Sequence, residues 1–247
     1  MSTDLTRFFA EWPYDSDNNV RIIAAEDGRQ VLQVRQPLGI EQYELDGRPD
    51  GQRPDGFETV LDSIEHRLAE FETTHGSAQG FELDDRTATQ LQNEGVLFYY
   101  RYLLLFQLND FERVIRDTAH NLRICDLLER HAADEDDAET VLQFKPYIYR
   151  MNSVSRAMAL VQRHEHAEAR SVLEEAIEVI QEMSEVDTPA FQFERVRSVN
   201  YLRSALEQIA DAPGDPLSQL ERELETAVQE EDYERAARLR DHIRELS

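Results

Sequence analysis

The first third of the chain alternates short β-rich runs with turn residues. Two such runs, Val20–Ala24 and Gln30–Arg35, flank a turn at Glu26–Arg29 that contains an Asp-Gly pair, and this pattern predicts a β-hairpin. A third run, Ile40–Leu45, precedes another Asp-Gly pair and predicts a third strand. Three short strands form a minimal meander, which needs a helix to cover one of its faces.

The loop after the third predicted strand repeats one four-residue unit. Arg-Pro-Asp-Gly occurs at Arg48–Gly51 and again at Arg53–Gly56. We interpret the repeat as two consecutive turns, with a ligand-binding loop as the less favoured alternative. Helical spacing then begins and predicts a helix over residues 57–73. Its buried face is predicted to hold Val60, Leu61, Ile64, Leu68 and Phe71.

The remainder of the chain has the pattern of successive antiparallel helices. There is no glycine between Val96 and Ala212, and short breaks separate the helical segments, which predicts helical hairpins of the α-solenoid kind. Helices are predicted near residues 84–107, 110–131, 136–163, 165–184, 188–211, 217–229 and 232–246. The fold class is therefore mainly α, with a small N-terminal β-meander and a C-terminal helical hairpin. The predicted regions are 1–80, 84–211 and 217–247.

One predicted hairpin carries small residues at regular positions. Ala169, Leu173 and Ala176 alternate small, large and small on its second helix, and Ala157 and Leu160 hold comparable positions on its first helix. Small residues allow two helices to approach closely. This pattern resembles a tetratricopeptide repeat, which implies a scaffold that binds peptides or partner proteins on a concave face.

A weaker copy of the same pattern lies upstream. There, Tyr102 occupies a position that is usually small, while Thr118 and Asn121 stand where apolar residues are expected. We therefore describe residues 84–211 as tetratricopeptide-like, with one fair repeat and one degenerate repeat.

A distinct module follows the breaker-rich linker Asp211–Pro216. Apolar residues return at helical spacing on two short helices, which form a marginal unit that should dimerise or dock on another surface. We expect Asp232 to cap the second helix and Tyr233 to close the hairpin over Ala236 and Ala237. The apolar positions are Leu217, Leu220, Leu224, Ala227 and Val228, followed by Ala236, Leu239, Ile243 and Leu246.

The stretch from Tyr233 to Ile243 reads Tyr-Glu-Arg-Ala-Ala-Arg-Leu-Arg-Asp-His-Ile. It resembles the UVR motif shared by the excision-repair proteins UvrB and UvrC, with tyrosine in place of the commoner phenylalanine and with no lysine. In that family the hairpin mediates protein–protein contact, as in the pairing of UvrB with UvrC. It also occurs in proteins that regulate a Clp-type ATPase or a protein-arginine kinase.

The resemblance implies an interaction module. The residues upstream contain no P-loop sequence, so nothing there indicates a helicase. We expect a non-enzymatic protein–protein interaction adaptor, with self-association included. An accessory factor in nucleotide excision repair that contacts UvrB or UvrC is the alternative. In the predicted contact face, Arg240 and Asp241 would fix the geometry by ion pairing. The other members of that face are Leu220, Leu224, Tyr233, Ala236, Leu239 and Ile243.

Charge narrows the range of partners. The chain has 51 acidic and 26 basic side chains, which gives a net charge of −25. Nucleic-acid phosphates and anionic membranes would repel such a surface, so we expect neither as a direct partner. Lys145 is the single lysine, which indicates either a GC-rich genome or adaptation to a salty cytoplasm. Without a cationic flank before a long apolar segment, a cytoplasmic location is expected.

Candidate chemical groups have plainer structural interpretations. Cys125 is the single cysteine, which excludes an internal disulfide, and its apolar neighbours predict a buried inert thiol. His164 and His166 lack the zinc-protease spacing and should be solvated. The acidic loop Asp134–Asp137 should lie near a helix N-terminus, with weak cation binding as the lesser alternative. The sequence therefore predicts no catalytic residue, no cofactor and no metal site.

Two aromatic groups are predicted to be mainly structural. Core packing explains most of the first group, although one or two of its tyrosines could line a groove. That group is Phe98, Tyr99, Tyr100, Tyr102 and Phe106. The second group is predicted to anchor the N-terminal segment, with a partner-binding peptide as the alternative. That group is Phe8, Phe9, Trp12, Pro13 and Tyr14.

Overall fold

A small antiparallel sheet precedes a series of packed helices in the computed structural model. It describes residues 4–211, 220, 223–224, 226–228 and 232–246, except for the side chains of residues 210–211, 241–242 and 244–246. The strands are β1 (Val20–Ala24), β2 (Gln30–Gln36) and β3 (Gly39–Glu44), in that order across the sheet. The α-helices are α1 (Thr6–Glu11), α2 (Val60–His75), α3 (Asp85–Gln107), α4 (Phe111–His131), α5 (Glu135–Leu142), α6 (Lys145–Gln162), α7 (His166–Glu182), α8 (Pro189–Asp211) and α9 (Tyr233–Leu246). The predicted mainly α class is confirmed.

The predicted meander is also confirmed. β1 pairs with β2 from Val20 opposite Val34 to Ala24 opposite Gln30, and β2 pairs with β3 along nearly its whole length. Gly28 has a φ of 86° in the first turn, a left-handed conformation that glycine adopts without strain.

The repeated Arg-Pro-Asp-Gly units form two turns, as predicted, although Asp55 has a φ of 51° in the second turn and Asp50 has no positive φ in the first. The N–H of Gly51 donates to the carbonyl of Arg48 at 2.9 Å, and the N–H of Gly56 donates to the carbonyl of Arg53 at 3.3 Å. Equal sequences therefore close the same backbone hydrogen bond at both places.

The two faces of the sheet have different covers. One face shares a core with α3, α4 and α6, in which Leu32 and Val34 pack with Tyr102 and Leu105. On the other face, the guanidinium of Arg21 lies 3.7 Å from the centre of the Trp12 ring, and that of Arg35 lies 4.0 Å from the centre of the Phe9 ring. The predicted anchoring role is confirmed for Phe8, Phe9 and Trp12, but not for Tyr14, which is 44% exposed. The structure adds that Phe8 and Phe9 lie on the short helix α1.

A buried ion pair ties the sheet to the helices. Arg101 donates to both carboxylate oxygens of Asp117 at 2.6 and 2.7 Å, and both side chains are almost fully buried. The same guanidinium donates to the carbonyls of Glu44 and Gly47, at 2.8 Å each. One arginine on α3 therefore holds α4 and the loop that follows β3.

The helices of residues 145–211 pack through the small residues that the sequence singled out. Ala157 on α6 and Ala169, Leu173 and Ala176 on α7 are all buried in one core with residues of α8. Leu160 is partly buried against the same core. The packing positions are as predicted, whereas the resemblance to a tetratricopeptide repeat stays a prediction.

Three predicted helix limits need correction or comment. The helix predicted over 136–163 is two helices, α5 and α6, because Pro146 lies in the first turn of α6 and cannot continue a preceding helix. The helix predicted from residue 57 begins at Val60, since Thr59 caps it by accepting from the N–H of Asp62. For the helix predicted over 217–229, the described residues 220, 223–224 and 226–228 are helical; the rest, with linker residues 212–216, lies outside the described set.

None of the helices in the described part of the chain combines the length and the apolar character needed to cross a membrane.

Candidate protein-interaction surfaces

The turn before α9 is closed by backbone and side-chain hydrogen bonds. The N–H of Asp232 donates to the carbonyl of Ala227 at 2.9 Å. The Asp232 carboxylate accepts from the N–H of Arg235 at 3.0 Å, which confirms the predicted cap. Across the turn, the Arg235 guanidinium lies 3.3 Å from the carboxylate of Glu223. These contacts define a helical hairpin.

The structure places the predicted contact residues at different depths. Tyr233 is 70% exposed, so it does not close the hairpin over Ala236 and Ala237 as predicted. It is the first residue of α9, and the Asp232 cap already closes the turn. Ala236 itself is buried, together with Ala227. Of the remaining predicted residues, Leu220, Leu224, Leu239 and Ile243 are half-buried and Arg240 is exposed, while the Asp241 side chain lies outside the described set.

The candidate chemical groups have structural roles. Cys125 is fully buried, and burial raises the pKa of its thiol to about 12. Asp134 accepts from the N–H of Asp136 at the start of α5, as predicted for an acidic loop at a helix N-terminus. His164 is exposed as predicted, but His166 is half-buried and its Nδ1 is buried without a hydrogen-bond partner among the described residues, so the prediction that both are solvated is wrong for His166. Within the described residues, no group of three or more His, Cys, Asp or Glu side chains could hold a metal ion.

A second surface is a groove between α3, α5, α6 and α8, with a cavity volume of about 420 Å³. Its exposed rim is apolar and aromatic. Tyr99 contacts the rings of Tyr100 and Tyr147, with centroids 5.4 and 6.0 Å apart. The rim consists of Val96, Tyr99, Tyr100 and Phe144. The sequence indicated that one or two tyrosines could line a groove, and the structure confirms this for Tyr99 and Tyr100.

The floor of the groove holds buried polar groups. Asn121 donates to the carbonyl of Gly95 at 2.9 Å, but its Oδ1 accepts no hydrogen bond from the described residues. The hydroxyl of Tyr102 is fully buried and also lacks a hydrogen-bond partner among them. Burial raises the pKa of Tyr102 well above its ordinary value, so the ring stays neutral. Two residues that depart from the repeat pattern, Tyr102 and Asn121, thus line the groove.

Charged groups are confined to one end of the groove. Glu194 lies 3.3 Å from Arg197 on α8. The guanidinium of the buried Arg150 lies 4.8 Å from the centre of the Tyr147 ring, which lines the groove, and 5.1 Å from that of Tyr201. Burial lowers the pKa of Arg150 from its ordinary value.

The helix that forms the long wall of the groove is depleted of charge. Between Thr87 and Asn109, Glu94 and Arg101 are the two charged residues, and both are fully buried. The exposed face of α3 is therefore uncharged over this stretch, although 31% of the chain is charged. Depletion of charge with enrichment of tyrosine is the composition found at the centre of protein interfaces.

These observations define a helical protein with an exposed C-terminal hairpin and a separate aromatic groove. The family described as UvrB/uvrC motif (UVR) matches residues 215–247, so the predicted resemblance is confirmed for that segment. No curated protein matches the chain, and no solved structure matches it. The chain thus carries a UVR motif on a helical scaffold.

Proposed function

We propose that this protein is a cytoplasmic, non-enzymatic adaptor that binds a partner protein through its C-terminal UVR hairpin. The match of residues 215–247 to the UVR motif carries the proposal, because the hairpin of that family mediates protein–protein contact. Tyr233 presents a large exposed ring at the start of α9, where an aromatic side chain can anchor a partner.

The half-buried residues of α9 complete the proposed face. Leu239 and Ile243 are four residues apart and lie on one side of the helix. The buried Ala236 supports this face from within, because a larger side chain would separate the two helices. The proposed contact residues are therefore Tyr233, Leu239 and Ile243, with Leu220 and Leu224 on the preceding helix.

Three buried ionisable groups of the scaffold, Arg101, Asp117 and Glu94, support a structural role for it. Arg101 and Asp117 bond to each other, and Glu94 accepts from the backbone N–H groups of Val60 and Leu61 at 2.7 and 3.0 Å. Groups engaged in this way hold elements together and are not available to a substrate.

The proposal is tested by affinity capture from native lysate with the full chain. Leu239→Asp places a charge on the proposed contact face and should abolish capture of the partner. Arg238→Gln is the matched control, since it changes the net charge by the same amount on an exposed neighbour. Circular dichroism should show that the scaffold of residues 4–211 keeps its helical content in both variants.

The outcome also decides between interaction classes. Equal capture by wild type and Leu239→Asp would contradict the proposal and move the contact to the scaffold. Direct binding of purified UvrB or UvrC to the wild type, lost in Leu239→Asp, would assign the adaptor to nucleotide excision repair. Capture of another partner with no binding to either protein would leave the adaptor function and exclude that assignment.

A further inference from the structure

We propose that the aromatic groove binds a second copy of this chain, in a two-fold dimer independent of the UVR hairpin. The inserted element is a ridge on α8, formed by Phe193 and Val196. Phe193 and Val196 are 62% and 61% exposed, which is unusual for large apolar side chains on the surface of a charged protein.

The ridge lies directly beside the groove. Phe193 and Val196 are three residues apart, which places them on one side of α8. Arg197 lines the groove, and its guanidinium lies 5.9 Å from the centre of the Phe193 ring. Ridge and groove therefore share an edge.

A ridge next to a groove is a self-complementary surface. In a two-fold dimer, each residue pair occurs twice with the partners exchanged, so one protomer's ridge can fill its partner's groove while the reverse contact forms. The ridge supplies an aromatic ring and a branched side chain, and the groove supplies tyrosine rings, among which Tyr100 is 51% exposed. Aromatic pairs of this kind contribute beyond the area that they bury.

Charge selects this face for self-association. Two copies that each carry a net charge of −25 repel each other over most of their surfaces. After Arg86 the exposed face of α3 is uncharged, and the segment Pro189–Leu206 of α8 has three arginines and one glutamate. Three walls of the groove, α3, α6 and α8, therefore hold few carboxylates, and the acidic residues that border the groove are concentrated on α5.

The first test is sedimentation equilibrium of the full-length protein at about 0.1 M and about 1 M NaCl. The dimer should become more stable at high salt, because screening weakens the repulsion between two acidic bodies while the contact itself is apolar. An interface built from ion pairs would weaken under the same change. A monomer at both salt concentrations, at protein concentrations up to roughly 100 μM, would overturn the proposal.

Point variants locate the interface. Phe193→Glu and Tyr100→Glu should each weaken the dimer by at least about tenfold, since each buries a charge in an apolar contact. Leu38→Glu is the matched control, because Leu38 is 94% exposed in the turn between β2 and β3 and lies outside this face. Val196→Glu serves as a second ridge variant if circular dichroism shows that Phe193→Glu is misfolded.

A charge exchange tests the geometry of insertion. Phe193→Glu and Tyr100→Lys should each fail to dimerise alone, but a mixture should form a heterodimer. In that heterodimer one ridge–groove contact is an ion pair and the other is native. Failure of the mixture to associate would overturn the ridge-in-groove arrangement.

The hairpin variant keeps this proposal separate from the proposed function. Leu239→Asp should leave the dimer intact, because the hairpin is not part of the groove. Dissociation by Leu239→Asp, with Phe193→Glu and Tyr100→Glu still dimeric, would overturn the groove dimer and assign self-association to the hairpin.

Discussion

Arg101 is a residue that joins separate parts of the fold. It bonds to Asp117 on α4 and to the backbone carbonyls of Glu44, at the end of β3, and Gly47, in the loop that follows. Its guanidinium faces these protein groups at short distances, so removing the carboxylate leaves a buried charge without compensation.

We predict that Asp117→Leu lowers the free energy of unfolding by about 3–5 kcal/mol, because Arg101 stays buried without its counter-charge. Urea denaturation measures the change. The double variant Arg101→Met/Asp117→Leu should lose less than the sum of the two single losses, since neither charge is then left alone. Arg123→Met removes an exposed pair with Glu65 and should cost less than about 1 kcal/mol. Additive losses for the buried pair would contradict this coupling.

Glu94 is a second buried charge with a structural task. Burial favours its neutral form, but His120, 3.2 Å away, and the N–H groups of Val60 and Leu61 hold the pKa of Glu94 below its ordinary value of 4.5. A carboxylate whose pKa is lowered by folding stabilises the native state above its ordinary pKa. That contribution disappears as the pH falls through the folded-state pKa.

We therefore expect the free energy of unfolding of the wild type to exceed that of Glu94→Gln by a constant amount above about pH 5. The difference should shrink as the pH falls below 4.5, because the wild-type carboxyl then takes up a proton. Urea denaturation of both proteins between about pH 7 and pH 3 measures it. A difference that grows towards low pH would mean that folding raises the pKa of Glu94 instead of lowering it.

At the scale of the elements, several helices start at residues whose side chains or backbone favour a helix N-terminus. Thr59 and Asp232 start α2 and α9, because their side chains accept hydrogen bonds from backbone N–H groups of the first turn. Pro146, which has no N–H group, lies in the first turn of α6 and separates it from α5. The capping signals act over one turn, so they can be recognised in the sequence. The break before Pro146 is harder to recognise, because apolar residues continue at helical spacing on both sides of it.

Asp232→Ala should destabilise α9 by about 1 kcal/mol, because the N–H of Arg235 loses its acceptor. Hydrogen exchange of the amides in residues 233–246 should accelerate roughly fivefold. Asp232→Asn keeps an oxygen acceptor at the same place and should exchange close to the wild-type rate. Acceleration in both variants would show that charge at the helix end, and not the hydrogen bond, stabilises α9.

Over the protein as a whole, charge is distributed unevenly. Carboxylates outnumber basic groups along most of the chain, but the exposed face of α3 is uncharged after Arg86, and α8 has an excess of arginine between Pro189 and Leu206. The groove and its ridge are thus chemically unlike the rest of the surface.

We expect the melting temperature to rise with NaCl, most steeply below about 0.3 M, because salt screens the self-repulsion of a chain with a charge of −25. Differential scanning calorimetry measures the change. Repeating it with Phe193→Glu, the variant designed to be monomeric, separates this effect from dimer formation. A melting temperature that falls with salt would indicate that surface ion pairs outweigh the repulsion.

Local sequence patterns were sufficient to predict the strands, most helices, both Arg-Pro-Asp-Gly turns and the UVR hairpin. Each depends on periodicity or capping within a few residues, and such interactions act at short range along the chain. The acidic charge follows from composition alone. The exposure of Tyr233 does not follow from the sequence, because apolar residues at helical spacing do not show which of them the turn leaves exposed to solvent.

The groove, the ridge beside it and the Arg101 junction depend on how distant helices pack. The groove is lined by residues of α3, α4, α5, α6 and α8, and the junction joins residues up to 57 positions apart. Helix packing sets these distances, and no short segment contains the information. For the same reason, the sequence indicated that one or two tyrosines could line a groove, but only the folded structure shows that Tyr99 and Tyr100 form its rim.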